Sequence, residues 1–213
     1  MNKKRKPGYA KFDYKDPKKR KYRYLLRRIW DENLPQVTFV MLNPSTAGAG
    51  EEENDPTIKK CIDLARSWNY GSLEVVNLFA YIATEPKELN EALKKGDDIV
   101  GHNNNLYILS ATKRAESIIV AWGAGLDNSS AKSANKYRVE EVLNLISCKT
   151  LYYLVDSKGN GDDLTKNGHP HYLVDSKGNG DDLTKNGHPR HPLQRDRSLD
   201  ERKIFIKNGA SKK

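Results

Sequence analysis

The chain has 213 residues, of which 37% are hydrophobic and 31% are charged, and its net charge is +9. This length predicts one domain, and the composition is that of a folded chain rather than of a disordered one. No apolar run approaches the roughly 20 residues of a membrane span, and the first residues, MNKKRKPGYAKF, lack the apolar stretch of a secretory leader. We therefore expect a cytoplasmic protein with no membrane partner.

Most of the positive charge lies at the beginning of the chain. The first 28 residues hold 13 Lys/Arg and 2 Asp/Glu, whereas the remaining residues have a net charge of −2. Because lysine and arginine attract phosphate and aromatic rings stack on bases, residues 1–21 are predicted to form a basic arm that binds nucleic acid. A solvated tail followed by an exposed edge strand explains the same composition, so both interpretations stay open. The aromatic residues interleaved with the charges are Tyr9, Phe12, Tyr14, Tyr22 and Tyr24.

Short apolar segments then alternate with segments of helical periodicity. This alternation predicts an α/β fold, with a single domain over residues 22–195 and a C-terminal tail over residues 196–213. We expect a mostly parallel central sheet flanked by helices. The predicted strands are Tyr22–Trp30, with its basic residues on the exposed side, Val37–Leu42, Leu73–Asn77, Ser117–Ala121 and Thr150–Val155. The predicted helices are one that begins at Asp55-Pro56 and ends before Gly71, then Glu85–Leu93, Asp98–Ala115 and Lys132–Ile146.

One segment of the chain occurs twice. Residues 153–170 and 172–189 have the same sequence, YLVDSKGNGDDLTKNGHP, which we interpret as an exact tandem duplication. Two units are too few for a solenoid. The first copy continues from the last predicted helix, so we expect residues 151–155 to form the strand and residues 157–177 to form a mobile excursion. In the alternative register, Tyr172–Asp175 forms that strand.

Polar and aromatic residues follow three of the predicted strands. Ligands bind beyond the carboxyl ends of parallel strands, so these residues are candidates for a binding site. An asparagine amide can hold a water or a base edge, and an aromatic ring can stack on a flat heterocycle. A plain turn or a core aromatic is the alternative explanation for each segment. The candidates are Asn43, Pro44, Ser45 and Thr46 after the first of these strands, Asn77, Phe79 and Tyr81 after the second, and Trp122 and Gly123 after the third.

Two further segments carry candidate site residues. Asp55 is predicted to cap a helix, and the free amides near Thr57 can receive an anion there. The segment GHPRHP carries His188 and His191, which can donate to a developing anion, and Arg190, which can bind phosphate.

We expect no metal and no cofactor. No carboxylate or thiol has ligand spacing to the two histidines, and Cys61 and Cys148 are too few for a disulfide framework or a four-thiolate zinc site. The chain lacks G-x-S-x-G, a Walker loop and a G-x-G-x-x-G after a strand. Serine hydrolases, P-loop nucleotide hydrolases and dinucleotide oxidoreductases are therefore disfavoured.

Five motifs, in this order, resemble a bacterial and phage family called domain of unknown function 1643. The motifs are MLNPSTA, DPTIKKC, WNYGSLEVVNLFAYIATEP, VAWG and GHPRHPL, and the resemblance extends from Tyr22 to Leu193. Ile82 stands where the resemblance implies an arginine, and Asn105 stands where it implies an aspartate.

More distantly, the order of Asn-Pro, Trp-Gly and His-Pro is similar to the uracil-DNA glycosylase superfamily. That resemblance implies that Asn43 positions a hydrolytic water, that Phe79 or Tyr81 stacks on the base, and that His188 or His191 stabilises the leaving base anion. The loop of Asn43 contains no carboxylate that would activate the water.

These resemblances lead us to expect a uracil-DNA-glycosylase-like fold and a protein that recognises a nucleobase or nucleotide, with glycosylase-like N-glycosidic hydrolase chemistry. The expected partner is nucleic acid or a nucleotide. A non-catalytic nucleic-acid or nucleotide-binding module is the alternative, and an interaction protein that uses only the arm is a third. The sequence does not indicate which oligomeric state the protein has.

Overall fold

A computed structural model of the chain describes residues 8–45, 54–123, 132–147, 149–156, 191 and 199–205. Within these ranges the strands are β1 Tyr9–Phe12, β2 Arg23–Ile29, β3 Gln36–Met41, β4 Ser72–Asn77, β5 Ser117–Val120, β6 Leu151–Asp156 and β7 Leu199–Phe205. The helices are α1 Pro56–Ser67, α2 Pro86–Lys94, α3 Asn104–Arg114 and α4 Lys132–Leu145, with a 3₁₀ turn at Pro17–Lys19.

The strands form one sheet in the order β1-β2-β4-β3-β5-β6-β7. The central strands β4, β3, β5 and β6 run parallel to one another. The pairs β1–β2, β2–β4 and β6–β7 are antiparallel. The expected mostly parallel sheet is therefore corrected to a mixed sheet. The connection between β1 and β2 contains only a 3₁₀ turn, and so short a connection cannot make the crossover that parallel strands need.

Two strands lie in segments that the sequence analysis assigned to the arm and to the tail. Strand β1 lies in the arm and pairs with β2, and β7 lies in the tail and pairs with β6. The arm is also fixed by Asp13, whose carboxylate accepts hydrogen bonds from the backbone N–H groups of Lys21 and Tyr22. The guanidinium of Arg20 lies 3.9 Å from the centre of the Phe12 ring. Tyr9–Phe12 are thus part of the sheet, and the contacts of Asp13 hold the loop that follows.

The helices cover both faces of the sheet. Buried residues of α1 pack with alternate residues of the central strands, among them Phe39 and Val75. The residues between them, such as Val40 and Val76, face the other way and pack with α2, α3 and α4. This two-sided burial explains why β3 and β4 are apolar almost throughout. Cys61 lies on the buried face of α1, and this burial raises the pKa of its thiol; Cys148 lies outside the described residues.

Two expectations about element bounds have clear outcomes. The predicted helix Asp98–Ala115 begins only at Asn104, because Gly101 has a φ of +81° and the Asp98 carboxylate accepts from the N–H of Gly101 in a turn. The first copy of the repeat does form the strand: β6 comprises Leu151–Asp156 and pairs with β5. The expected excursion over residues 157–177 lies outside the described residues.

Candidate functional site

A cleft of about 320 Å³ lies beyond the carboxyl ends of the central strands β3, β4 and β5. Strand β3 pairs with β4 on one side and with β5 on the other, so the chain connections diverge from it. Such a switch point is where open α/β sheets bind ligands. Eight of the predicted site residues line the cleft: Asn43, Ser45, Asp55, Thr57, Asn77, Trp122, Gly123 and His191.

The other predicted site residues lie elsewhere or beyond the described ranges. Phe79 is 2% exposed and belongs to the core beneath α2, α3 and α4. Tyr81 packs edge-on against the ring of Tyr22, with the ring centres 6.2 Å apart. Neither aromatic ring lines the cleft, and Pro44 contributes a carbonyl beside it. Thr46, His188 and Arg190 lie outside the described residues.

Hydrogen bonds fix the side chain of Asn43. Its Nδ2 donates to the carbonyls of Pro44, at 3.1 Å, and Ala83, at 2.8 Å. Both amide hydrogens are thereby used, which orients the amide. Within the described part of the chain its Oδ1 has no donor. The residue therefore offers an acceptor for a water or for the N–H edge of a base.

Asp55 brings a carboxylate into the cleft. Its Oδ1 accepts from the Ile58 N–H at 2.8 Å, which confirms the predicted helix cap. Its Oδ2 accepts from the Ser45 Oγ at 3.0 Å. The second hydrogen bond joins the beginning of α1 to the loop of Asn43. The carboxylate that this loop lacks in sequence is thus present in space.

His191 reaches the cleft from the far end of the chain and packs against Gly123. Gly123 has a φ of +70°, and a Cβ placed there would lie 3.1 Å from the Cβ of His191. A glycine after β5 therefore permits both the backbone conformation and the close approach. Burial lowers the pKa of His191, and the negative charge of Asp55 opposes this only in part. The imidazole is accordingly neutral at pH 7.

Sequence reasoning missed Arg23, which also lines the cleft. It is the first residue of β2, and since β2 runs antiparallel to β4, this end of β2 lies at the carboxyl end of β4. The expectation that β2 presents its basic residues to solvent is wrong at Arg23 and Arg28, which are 3% and 6% exposed. Burial lowers the pKa of Arg23 to about 10; Asp55 opposes this shift and Arg28 adds to it.

The buried side chains of Asn104 and Arg138 hold the end of β4 in place. Asn77 is 3% exposed, and its carbonyl accepts from the Nδ2 of Asn104 at 3.0 Å. The carbonyl of Leu78 accepts from Asn104 and from the Nε of Arg138, at 3.0 and 2.6 Å. Asn105, where the family resemblance implies an aspartate, still accepts from Arg138 at 2.8 Å. The position of Asn77 in the cleft thus depends on α3 and α4.

The described residues contain no group of three or more His, Cys, Asp or Glu side chains placed to hold a metal ion. None of the described helices has the length and apolar character required to cross a bilayer.

The mixed sheet and the polar cleft at its switch point define an α/β protein with a candidate binding site at the carboxyl edge of the sheet. The chain belongs to the family described as protein of unknown function (DUF1643), which matches residues 23–193. Comparisons with curated proteins and with solved structures give no match.

Proposed function

We propose that the cleft binds a nucleobase, in nucleic acid or in a nucleotide, and that the protein hydrolyses its N-glycosidic bond. The observation that carries this proposal is that Asn43, Asp55 and His191, which are distant in sequence, line one cleft. These side chains offer an acceptor, a carboxylate and a neutral imidazole, which suit water positioning, proton transfer and hydrogen bonding to a leaving group. The volume of about 320 Å³ is at the small end of ligand sites and suits one nucleoside unit.

In the proposed reaction, a water that donates to Asn43 Oδ1 attacks the C1′ carbon of the sugar. The C1′–N bond breaks, and its electron pair goes to the departing base. The proton of the water passes to the Asp55 carboxylate, and the hydroxyl remains on C1′. The neutral His191 donates its ring N–H to the base as negative charge develops there. The proton on Asp55 then returns to the base or to solvent.

A non-catalytic nucleotide-binding module is the second candidate, and the hydrogen bonds of Asp55 favour it. Each carboxylate oxygen already accepts one hydrogen bond, from Ile58 N–H and from Ser45 Oγ. A carboxylate that caps a helix in this way is explained without catalysis. The two candidates differ in one outcome, which is whether a bound ligand is cleaved.

The test is incubation with DNA that carries uracil or other altered bases, beside a panel of free nucleotides. Abasic sites are assayed in the DNA, and free base is assayed with the nucleotides. Asn43→Ala is expected to lower the rate about a hundredfold, the usual effect of misplacing a reactant by about 1 Å, because the attacking water is no longer positioned. Asn33→Ala is the matched control, because Asn33 is exposed and bonded only within its own turn to Asp31. Saturable nucleotide binding with no base release from any substrate would favour the binding module.

The proposed nucleic-acid partner would first meet the exposed basic residues of the arm. Lys15, Lys18 and Lys19 are exposed around the 3₁₀ turn, and Tyr14 beside them is 57% exposed. Changing all three lysines to glutamine leaves β1 in place. We expect weaker binding to any DNA sequence and a salt dependence that is shallower by up to about two to three in the log–log slope. An unchanged slope would remove the arm from the binding surface.

A further inference from the structure

Arg23 carries a buried positive charge without a partner in the described part of the chain. Its side chain is 3% exposed, and its Nε and Nη1 have no hydrogen-bond acceptor. The negative charge of Asp55 favours the charged form of Arg23. The two oxygens of Asp55 accept from Ile58 and Ser45, however, and no ion pair joins Asp55 to Arg23. A buried charge in this state is costly, and proteins rarely keep one without a use.

Among the described residues, Trp122 provides a second buried donor in the cleft without an acceptor. Trp122 is 1% exposed, and its indole Nε1 has no acceptor. The first turn of α1 lines the cleft through Thr57 and Ile58, and a helix of this length places partial positive charge at its beginning. Two buried donors of the cleft, on Arg23 and Trp122, therefore lack an acceptor within the described ranges, and the beginning of α1, although Asp55 already caps it, adds partial positive charge beside them.

We propose that Arg23, with the indole of Trp122 and the first turn of α1, forms a subsite for the phosphate group of a nucleotide. A guanidinium matches the oxygens of phosphate in pairs, and phosphate is commonly bound at helix N-termini. The carboxylate of Asp55 lies in the same cleft, so the phosphate must approach from the side of Arg23 and Trp122. The nature of the ligand as a nucleotide rests on the function proposed above, whereas the anion subsite does not.

The test compares each of four nucleosides with its 5′-monophosphate, by calorimetric titration of the full chain in a phosphate-free buffer. The monophosphate is expected to bind about ten- to hundredfold more tightly than its nucleoside, the usual effect of hydrogen bonds to a charged group. Arg23→Met should reduce this ratio of affinities to about one. Arg23→Lys should leave an intermediate ratio, because lysine keeps the positive charge but lacks the paired N–H donors of the guanidinium. Arg66→Met is the control, since Arg66 is exposed on α1 and changes the net charge equally.

Inorganic phosphate and a short single-stranded deoxyoligonucleotide complete the series. If phosphate stabilises the wild type against heat and not Arg23→Met, while nucleosides, their monophosphates and the oligonucleotide do not bind, the subsite stands and the proposed function fails. If nucleosides and monophosphates bind equally, or if Arg23→Met leaves their ratio unchanged, the subsite is overturned while the nucleobase site stands. Arg23-dependent binding of the oligonucleotide above that of the monophosphate supports the subsite and identifies its source as a nucleic-acid backbone.

Discussion

Replacing Arg23 by methionine should stabilise the protein when no ligand is bound. Burial lowers the pKa of Arg23 well below its usual range, to about 10. At about 1.4 kcal/mol per pH unit, the charged guanidinium costs the folded state about 3 kcal/mol. Because the folded pKa is the lower one, this cost is fully present below about pH 10 and disappears as the pH rises from there to the pKa of the unfolded chain. Methionine keeps most of the apolar stem in place, so a net gain of about 2 kcal/mol is expected at pH 7.

Urea and thermal unfolding at pH 7, without phosphate in the buffer, measure this gain. For a chain of this length, about 2 kcal/mol corresponds to a rise in Tm of roughly 4–8 °C. Arg27→Met, on the same strand, is the control: Arg27 lies 3.6 Å from Glu74, a carboxylate with no exposed surface, so its loss should destabilise the fold. A lower Tm for Arg23→Met would refute the reasoning, because it would mean that the charge of Arg23 is compensated within the protein.

Three further predictions concern the remaining parts of the site. Below pH 6.5 the unfolded chain protonates His191 more readily than the folded one, so the free energy of unfolding should fall as the pH falls. His191→Gln should make this fall smaller in urea unfolding at a series of pH values, and an unchanged pH dependence would contradict the burial of the imidazole. Asn104→Ala removes a donor from the buried carbonyls of Asn77 and Leu78, of which Leu78 keeps the Nε of Arg138, so we expect a loss of roughly 1–3 kcal/mol in unfolding free energy; a loss below about 0.5 kcal/mol would argue against its role at the end of β4. Gly123→Ala and Gly96→Ala should each lower the free energy of unfolding by about 1 kcal/mol, because both residues have positive φ. Only Gly123→Ala should weaken nucleotide binding, since a Cβ there meets His191 whereas a Cβ at Gly96 meets nothing within 4 Å; equal effects on binding would contradict the contact with His191.

Local chemistry was sufficient to predict the central strands and the cap of α1. The apolar runs of β3, β4 and β5 identify strands that are buried on both faces, and Asp55-Pro56 identifies the beginning of α1. These elements also fix which loops meet at the carboxyl edge. The convergence of Asn43 and Asn77 in one cleft follows from the parallel pairing of Met41 with Asn77.

The direction of an outer strand could not be predicted from the sequence. Arg23 appeared to be one more basic residue of an exposed strand, because its place in the cleft depends on the antiparallel pairing of β2 with β4. The depth of Phe79 was equally inaccessible. Strand alternation does not continue past the end of β4, and the chain turns Phe79 into the core while Tyr81 packs on Tyr22.

The role of Asp55 shows what a functional interpretation of sequence leaves out. The loop of Asn43 contains no carboxylate, and Asp55 is explained locally as a helix cap. Its position beside the loop of Asn43 depends on the hydrogen bond from Ser45, which lies ten residues earlier in the chain. A contact of this kind is set by packing and not by any local pattern.

Single-turnover base release in ¹⁸O-labelled water tests the central claim most directly. The substrate is the altered-base oligonucleotide or nucleotide that binds most tightly, and the products are analysed by mass spectrometry. The proposal predicts release of the free base and one ¹⁸O atom on C1′ of the sugar product, with the rate reduced about a hundredfold in Asn43→Ala. An intact substrate after prolonged incubation with saturating wild-type protein would contradict it and leave the cleft as a binding site without hydrolysis.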